Sequence, residues 1–341
     1  MCWRNIFSLV FVLITFWAFF AFAQEKSVIE LTYASPFSPD HTFSKVDKKW
    51  IAKIEAETKG SVKIKPYWGE TLVGYRDAIT EIAKGVADMG FISPGYAKAG
   101  FPITRASYIF YFGANQEVGR KVFKEMLMKF PEIEQEYTSQ GLKVLAWSSG
   151  ADYQLITKRP VYKGEDLKGM RLKTLGEIVE LLRAYGAEGT TTPASELYSS
   201  MQKGILDGTL TPLEGLKTLR LAEVAKYCTM INFYRTHSGS RVINQSKWNS
   251  LPSEIKRVFE ENIEFWGVET DRAFIEADKE GYEFGKKNGV QFITLSKEEL
   301  ERFYAPLKTI AEREASKLDS NGLPGTKIFK EAQTLIRKYS K

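Results

Sequence analysis

Apolar patterning alternates between strand and helix periods from Val28 to Ile92, and that alternation constrains the fold more than any other feature of the chain. Val28 to Tyr33 reads as a strand. Phe43, Val46, Trp50, Ile51 and Ile54 then form one helical stripe, with Gly60 beyond its end. Ser61 to Tyr67 is a second strand, Asp77 to Lys84 a helix, and Val86 to Ile92 a third strand. Strands separated by crossover helices predict a wound α/β sheet. Such sheets bind ligands beyond the carboxyl ends of their strands. Here those ends are the loops at Ala34 to His41, Trp68 to Gly74 and Ser93 to Tyr96. Three of their residues stand out, each with two readings. His41 either caps the helix that follows or donates to an anion, and Trp68 and Tyr96 either pack the loops or wall an apolar pocket.

The chain before this sheet reads as a targeting signal. Arg4 precedes an apolar run from Ile6 to Phe20, and Ala21-Phe22-Ala23 supplies the small residues of a cleavage site, so cleavage is expected after Ala23. A membrane anchor is the rival reading, but the run is short for a bilayer span and polar sequence follows at once. Residues 1–23 thus read as a signal peptide, and the exported protein is expected to begin at Gln24. Only Cys228 then remains of two cysteines, so no internal disulfide can form and stability must come from packing. The formal charge of +6 falls to +5 when Arg4 leaves, and its signs are interleaved. No basic stripe marks a nucleic-acid partner.

The densest information lies between Asp166 and Tyr227. Met170 to Thr174 alternates as a half-buried strand, which puts Arg171 and Lys173 about 7 Å apart on one cationic side. Gly176 opens a helix carrying Ile178, Leu181, Leu182 and Tyr185. A second helix starts near Thr192-Pro193 and stops at Gly204, and Asp207-Gly208 reads as a turn. Further on, Cys228 to Phe233 is strand-like, and Ser253 to about Lys286 reads as one long helical run. Glu298 to Lys341 is helical apart from a turn at Asp319 to Gly325.

The segments LKGMRLK, PASELYSSMQKGILDG and EVAKY resemble the solute-binding proteins of tripartite ATP-independent periplasmic (TRAP) transporters. Leu167, Gly169 and Arg171, then Glu196, Tyr198, Gln202, Gly204, Asp207 and Gly208, then Glu223, Val224, Lys226 and Tyr227 keep the order of that family's pattern. The likeness continues in Glu55, Thr58 and Gly60, in Gly85, Ala87, Asp88 and Met89, and in the Asn244 to Pro252 segment with Trp248. It covers nearly all of the mature chain. One departure stands out, because the family's ligand-clamping arginine falls on Lys173.

The resemblance implies a two-lobed periplasmic binding protein of α/β class, each lobe a mixed sheet flanked by helices, with a long helix spanning both. Crossings near Trp147 to Gly150 and at Thr236 would divide it into lobe I, residues 24–149 and 236–275, and lobe II, residues 150–235 and 276–341. It implies a monomer that holds an organic acid between its lobes and hands it to TRAP permease subunits in the membrane, without ATP. Lys173 or Arg171 would hold the carboxylate; Tyr153 stands near another ligand-facing position that is often basic, Thr211 stands where the family often has asparagine, and Tyr198 is either a ligand contact or core. Losing basic groups while keeping aromatic ones suggests a monocarboxylate with an apolar or aromatic body.

Two other classes compete with capture, an extracytoplasmic two-lobed enzyme and a receptor module for a signalling partner. The chain has no G-x-S-x-G elbow, phosphate-cradling loop, G-x-G-x-x-G, paired-cysteine site or H-E-x-x-H. Ser253 and Lys256 match S-x-x-K, but Ser253 follows Leu251-Pro252 as a natural helix N-cap. No catalytic residue, cofactor or metal is therefore expected, since His41, His237 and Cys228 are too few to hold zinc.

Overall fold

A computed structural model describes residues 28–340 apart from 98, 148–150, 175, 192–193 and 237–238, and the backbone alone at 96, 177, 194 and 195. The signal segment, the first crossing at Ser148 to Gly150, His237 and the helix start at Thr192-Pro193 lie outside the described residues.

The alternation of the first hundred residues becomes β1 (Ile29–Ala34), α1 (Thr42–Glu57), β2 (Val62–Tyr67), α2 (Ala78–Ala83) and β3 (Met89–Ile92). The third strand is three residues shorter at its start than its apolar pattern predicts. Asp88 turns inward there and takes hydrogen bonds from the Thr32 backbone and hydroxyl at 2.8 and 2.9 Å. The aromatic-rich stretch after it is helical, as α3 (Pro102–Phe110), followed by α4 (Gln116–Lys129), α5 (Glu132–Thr138) and β4 (Leu142–Trp147).

A second set begins with β5 (Ala151–Thr157), β6 (Arg171–Lys173), α6 (Val179–Ala184) and β7 (Glu188–Thr190). It continues with α7 (Ala194–Gln202), β8 (Gly208–Thr211), α8 (Gly215–Thr218), α9 (Leu221–Val224) and β9 (Tyr227–Arg235). Gly208, expected in a turn, opens a strand instead. The chain then returns through β10 (Ser240–Asn244), α10 (Gln245–Ser250), α11 (Ser253–Glu261), α12 (Ile263–Lys287), β11 (Gln291–Thr294), α13 (Lys297–Ser320) and α14 (Gly325–Tyr339).

Two mixed sheets result, ordered β2-β1-β3-β10-β4 and β11-β9-β5-β8-β6-β7. The returning strand β10 runs antiparallel between β3 and β4. In the other sheet β5 runs antiparallel between β8 and β9. The two-lobed α/β architecture is therefore present, with helices on both sheets.

The long helix is broken once. Asn262, 2% exposed, ends α11 and begins α12, and its amide donates to the Val258 carbonyl at 2.8 Å. From there α12 runs across both lobes. Trp266 and Phe274 join the core of the first sheet. About two and three turns beyond Phe274, Gly281 and Gly285 face the second. A Cβ on Gly281 would stand 2.1 Å from the Leu213 carbonyl oxygen, so only glycine lets the helix approach that loop. The largest core joins α3, α4, α13 and α14 to one face of the second sheet. Among the described residues no helix is long and apolar enough to cross a membrane.

Candidate functional site

Chain connectivity decides which ends of the sheets meet. Three residues link the end of β4 to the start of β5, and four link the end of β9 to the start of β10. At about 3.5 Å per residue, neither link can span a lobe. The carboxyl ends of β1, β3 and β4 must therefore face the edge where β5 starts and β6, β8 and β9 end. The registers place side chains on that second edge. Tyr153 pairs with Phe233 and Ala151 with Arg235, while Gln154 pairs with Thr211 and Lys173 with Thr209.

Four polar or aromatic side chains gather there: Tyr153, Lys173, Thr211 and Arg235. Lys173 is half-buried, and its ammonium makes no ion pair or hydrogen bond with any described residue. Burial, followed by the charge of Arg235, lowers its pKa to about 8. Arg235 is 6% exposed, with its guanidinium 4.4 Å above the Tyr108 ring on α3. The Thr174 hydroxyl next to Lys173 is buried without a hydrogen-bond partner among the described residues. An anion placed here would give the Lys173 ammonium a partner, with the Thr174 hydroxyl an idle donor beside it. Tyr153 packs against the cores of both lobes, and Thr211 is 8% exposed at the end of β8.

Arg171 lies two residues further back along β6 and serves the lobe itself. Its Nε lies 3.3 Å from Asp207, and its Nη2 donates to the Gly204 carbonyl at 2.6 Å. Sharing a strand face with Lys173 therefore does not bring it to the facing edge. Tyr198 likewise donates its hydroxyl to Glu223 at 2.9 Å, with the Arg220 guanidinium 5.1 Å over its ring. That cluster is on the lobe's surface.

The opposing edge is aromatic. Phe37 in the β1–α1 loop stacks on His41 at 4.2 Å and meets Phe91 edge-on at 4.9 Å, and Tyr75 stands 5.7 Å from Phe91. His41 caps α1, since its Nδ1 accepts the Phe43 N–H at 3.1 Å. Burial, then the nearby Arg241, lowers its pKa to about 4, so near neutral pH the ring is uncharged and Nε2 carries the proton. It is a neutral donor rather than a cation. Trp68 packs on the core, edge-on to Tyr33 at 5.9 Å with Lys48 above it. The side chain of Tyr96 lies outside the described residues.

Arg235, Phe37, Tyr75 and Phe91 carry this geometry, yet none stands out from sequence alone. The available signal was an arginine two residues beyond the apolar run Cys228 to Phe233, just before the chain crosses. Two open grooves on the second lobe, about 390 and 490 Å³, are lined by Glu180, Arg183 and Pro306 and by Arg159, Tyr162 and Asp166, away from these edges. Among the described residues no group of histidine, cysteine or carboxylate side chains could hold a metal.

The family model described as Bacterial extracellular solute-binding protein, family 7 (DctP) matches residues 33–317. The C4-dicarboxylate-binding periplasmic protein DctP of Rhodobacter capsulatus is 26% identical over 239 residues, which is 67% of this chain and 68% of that protein. Among solved structures, a TRAP periplasmic solute-binding protein of Desulfovibrio salexigens superposes with a TM-score of 0.81 at 24% identity, covering 91% of this chain and 96% of that one. A marine metagenome TRAP solute-binding protein specific for aromatic acids, in complex with 3-hydroxybenzoate, superposes with a TM-score of 0.79 at 23% identity, covering 92% and 99%.

Proposed function

We propose that this chain, which belongs to the bacterial extracellular solute-binding proteins of family 7, captures an organic monocarboxylate with an aromatic body between its two sheet edges. The observation that carries the reading is Lys173, a half-buried ammonium with no carboxylate among the described residues and a second cation, Arg235, as its charged neighbour. A buried charge is retained only where something compensates it. A ligand carboxylate would do so, with Arg235 adding a planar fork and the Thr174 and Thr211 hydroxyls further donors. Arg171 and Tyr198, committed to Asp207 and Glu223, are left out of the site.

The ring of the acid would rest on Phe37, Tyr75 and Phe91, with Tyr153 beside it. A wall of tilted aromatic rings favours a flat apolar body over a polyhydroxylated chain. The marine relative that holds 3-hydroxybenzoate lends weight to that body. The lobes would close about the two crossings, and the protein, exported to the periplasm as a monomer, would deliver its acid to a TRAP permease driven by an ion gradient.

A thermal-shift screen of the chain from Gln24 tests this with benzoate, hydroxybenzoates, succinate and glucuronate. A ligand at about a hundred times its dissociation constant stabilises by roughly 2.7 kcal/mol. A shift with aromatic monocarboxylates, and no product on incubation, is the expected result. A shift with glucuronate or succinate alone would replace the aromatic body with a polar one, and turnover would replace capture with catalysis.

A further inference from the structure

We infer that Ser93 reads a hydroxyl on the ring of the bound acid, so that the site prefers one hydroxylated isomer to the unsubstituted acid. This rests on the aromatic-acid reading above. Ser93 follows β3 directly. Its backbone stays extended, with φ −126° and ψ 108°, before the turn at Pro94–Tyr96. Side chains along a strand alternate between faces. Ser93 therefore falls on the face of Phe91, which closes the aromatic wall with Phe37 and Tyr75.

The serine is 3% exposed, and its Oγ has no hydrogen-bond partner among the described residues. Its two ordinary structural uses are both absent. It opens a helical turn, yet its side chain makes no capping bond, and its hydroxyl bonds to no nearby carbonyl. A buried hydroxyl left without a partner costs stability, whereas alanine in its place would not. A hydroxyl that both donates and accepts can satisfy a phenol, which has the same two needs. On the same edge His41 caps α1 through Nδ1, which leaves its Nε2 as a second neutral donor.

The rigid ring makes this selective. Once the carboxylate is fixed at Lys173, the distance from it to a ring hydroxyl differs between the 3- and 4-isomers, and a single side chain can serve only one. A site built to hydrogen-bond a substrate hydroxyl discriminates more sharply than one that only fits its shape.

Calorimetry with benzoate, 3-hydroxybenzoate and 4-hydroxybenzoate, on the wild type and on Ser93→Ala, decides it. The wild type is expected to bind one hydroxybenzoate at least tenfold tighter than benzoate. Ser93→Ala should bring that ratio close to one while benzoate affinity stays within about twofold. The ligand-free variant should melt no lower than the wild type, because the hydroxyl has no internal bond to lose. A preference that survives Ser93→Ala, no preference in the wild type, or a lower melting temperature in the variant would each overturn the inference while leaving the aromatic-acid reading intact. Failure of all three acids to bind the wild type would overturn both.

Discussion

Arg241 and Lys173 stand at the facing edges of this molecule, and the two cations are provided for in opposite ways. Arg241 in the first lobe is fully buried and grips Asp47, also fully buried, with Nε and Nη2 at 2.8 and 2.9 Å. Asp47 also accepts the Tyr33 hydroxyl at 2.7 Å and the Trp266 indole N–H at 2.8 Å. The guanidinium lies 4.0 Å from the Trp266 ring and 4.9 Å from each of Phe43 and Phe91. Lys173 in the second lobe has none of this. One cation is built with its carboxylate, and the other has none among the described residues. The first ties α1, β1, β10 and α12 together, and on the proposed reading a ligand carboxylate would complete the second.

The sharpest way to break the contrast is to remove the internal carboxylate. Asp47→Ala strands Arg241 in an apolar wall and should cost about 3–5 kcal/mol of stability in denaturant unfolding. A loss under 1 kcal/mol would mean that Arg241 finds another partner. Lys173→Ala should do the reverse. Carboxylate affinity is expected to fall by about 2–3 kcal/mol in calorimetry, as for hydrogen bonds to charged groups, with no loss of unfolding stability. Unchanged affinity would take Lys173 out of the site.

The pH dependence sharpens the same point. With its pKa lowered to about 8, Lys173 loses its charge as pH rises through 8, so carboxylate affinity should decline above that pH. Between about 8 and 10.4 the unfolded chain holds more protons at this residue than the folded one, so its contribution to ligand-free stability rises with pH over that window. Affinity that stays flat to pH 10 would contradict the assignment.

A third buried charge tests the rear of the cleft. Asp278 on α12 accepts the Glu214 backbone N–H at 2.8 Å, and the Glu214 carboxyl lies 3.4 Å from the Thr42 hydroxyl of the other lobe. Burial, and after it the charge of Glu214, raises Asp278 to about 7. A raised carboxyl contributes stability that is lost as pH climbs from about 4 through 7. Asp278→Asn should therefore gain relative to the wild type between pH 5 and 8 in thermal melts, and equal stabilities at both ends would remove Asp278 as the cause. Arg171→Ala is the smallest effect. Its exposed pair with Asp207 is worth up to about 1 kcal/mol, and ligand affinity should not move.

The family was legible in short ordered segments. LKGMRLK, the Glu196 to Gly208 run and EVAKY keep a pattern set by backbone needs, and the family model matches across 33–317. Strands β1 to β3, β6 and β9 followed from period, whereas β7 and β11 were not foreseen and β8 opens at Gly208, where a turn was expected. The break at Asn262 did not, because the apolar stripe continues through it and only a side-chain bond to Val258 ends the helix. Position on β6 also misled. Arg171 and Lys173 share a face by period, but Asp207 and Gly204, brought close by the following loop, claim the arginine.

The chain by itself determined most of its strands and helices, the two short links between the sheets, and that position 173 carries a lysine, because period, turn chemistry and residue type are local properties. Tertiary structure decided the rest. It set Arg235 on the same sheet edge as Lys173, three strands away and close enough for its charge to act there, from a position 62 residues later, as 235 − 173 in the numbering shows. It assembled Phe37, Tyr75 and Phe91 from two loops and a strand, and it gave Asp47 to Arg241 while placing no carboxylate on Lys173 among the described residues. Whether a charge meets a partner depends on what the fold brings within a few ångströms, and no local pattern records that distance.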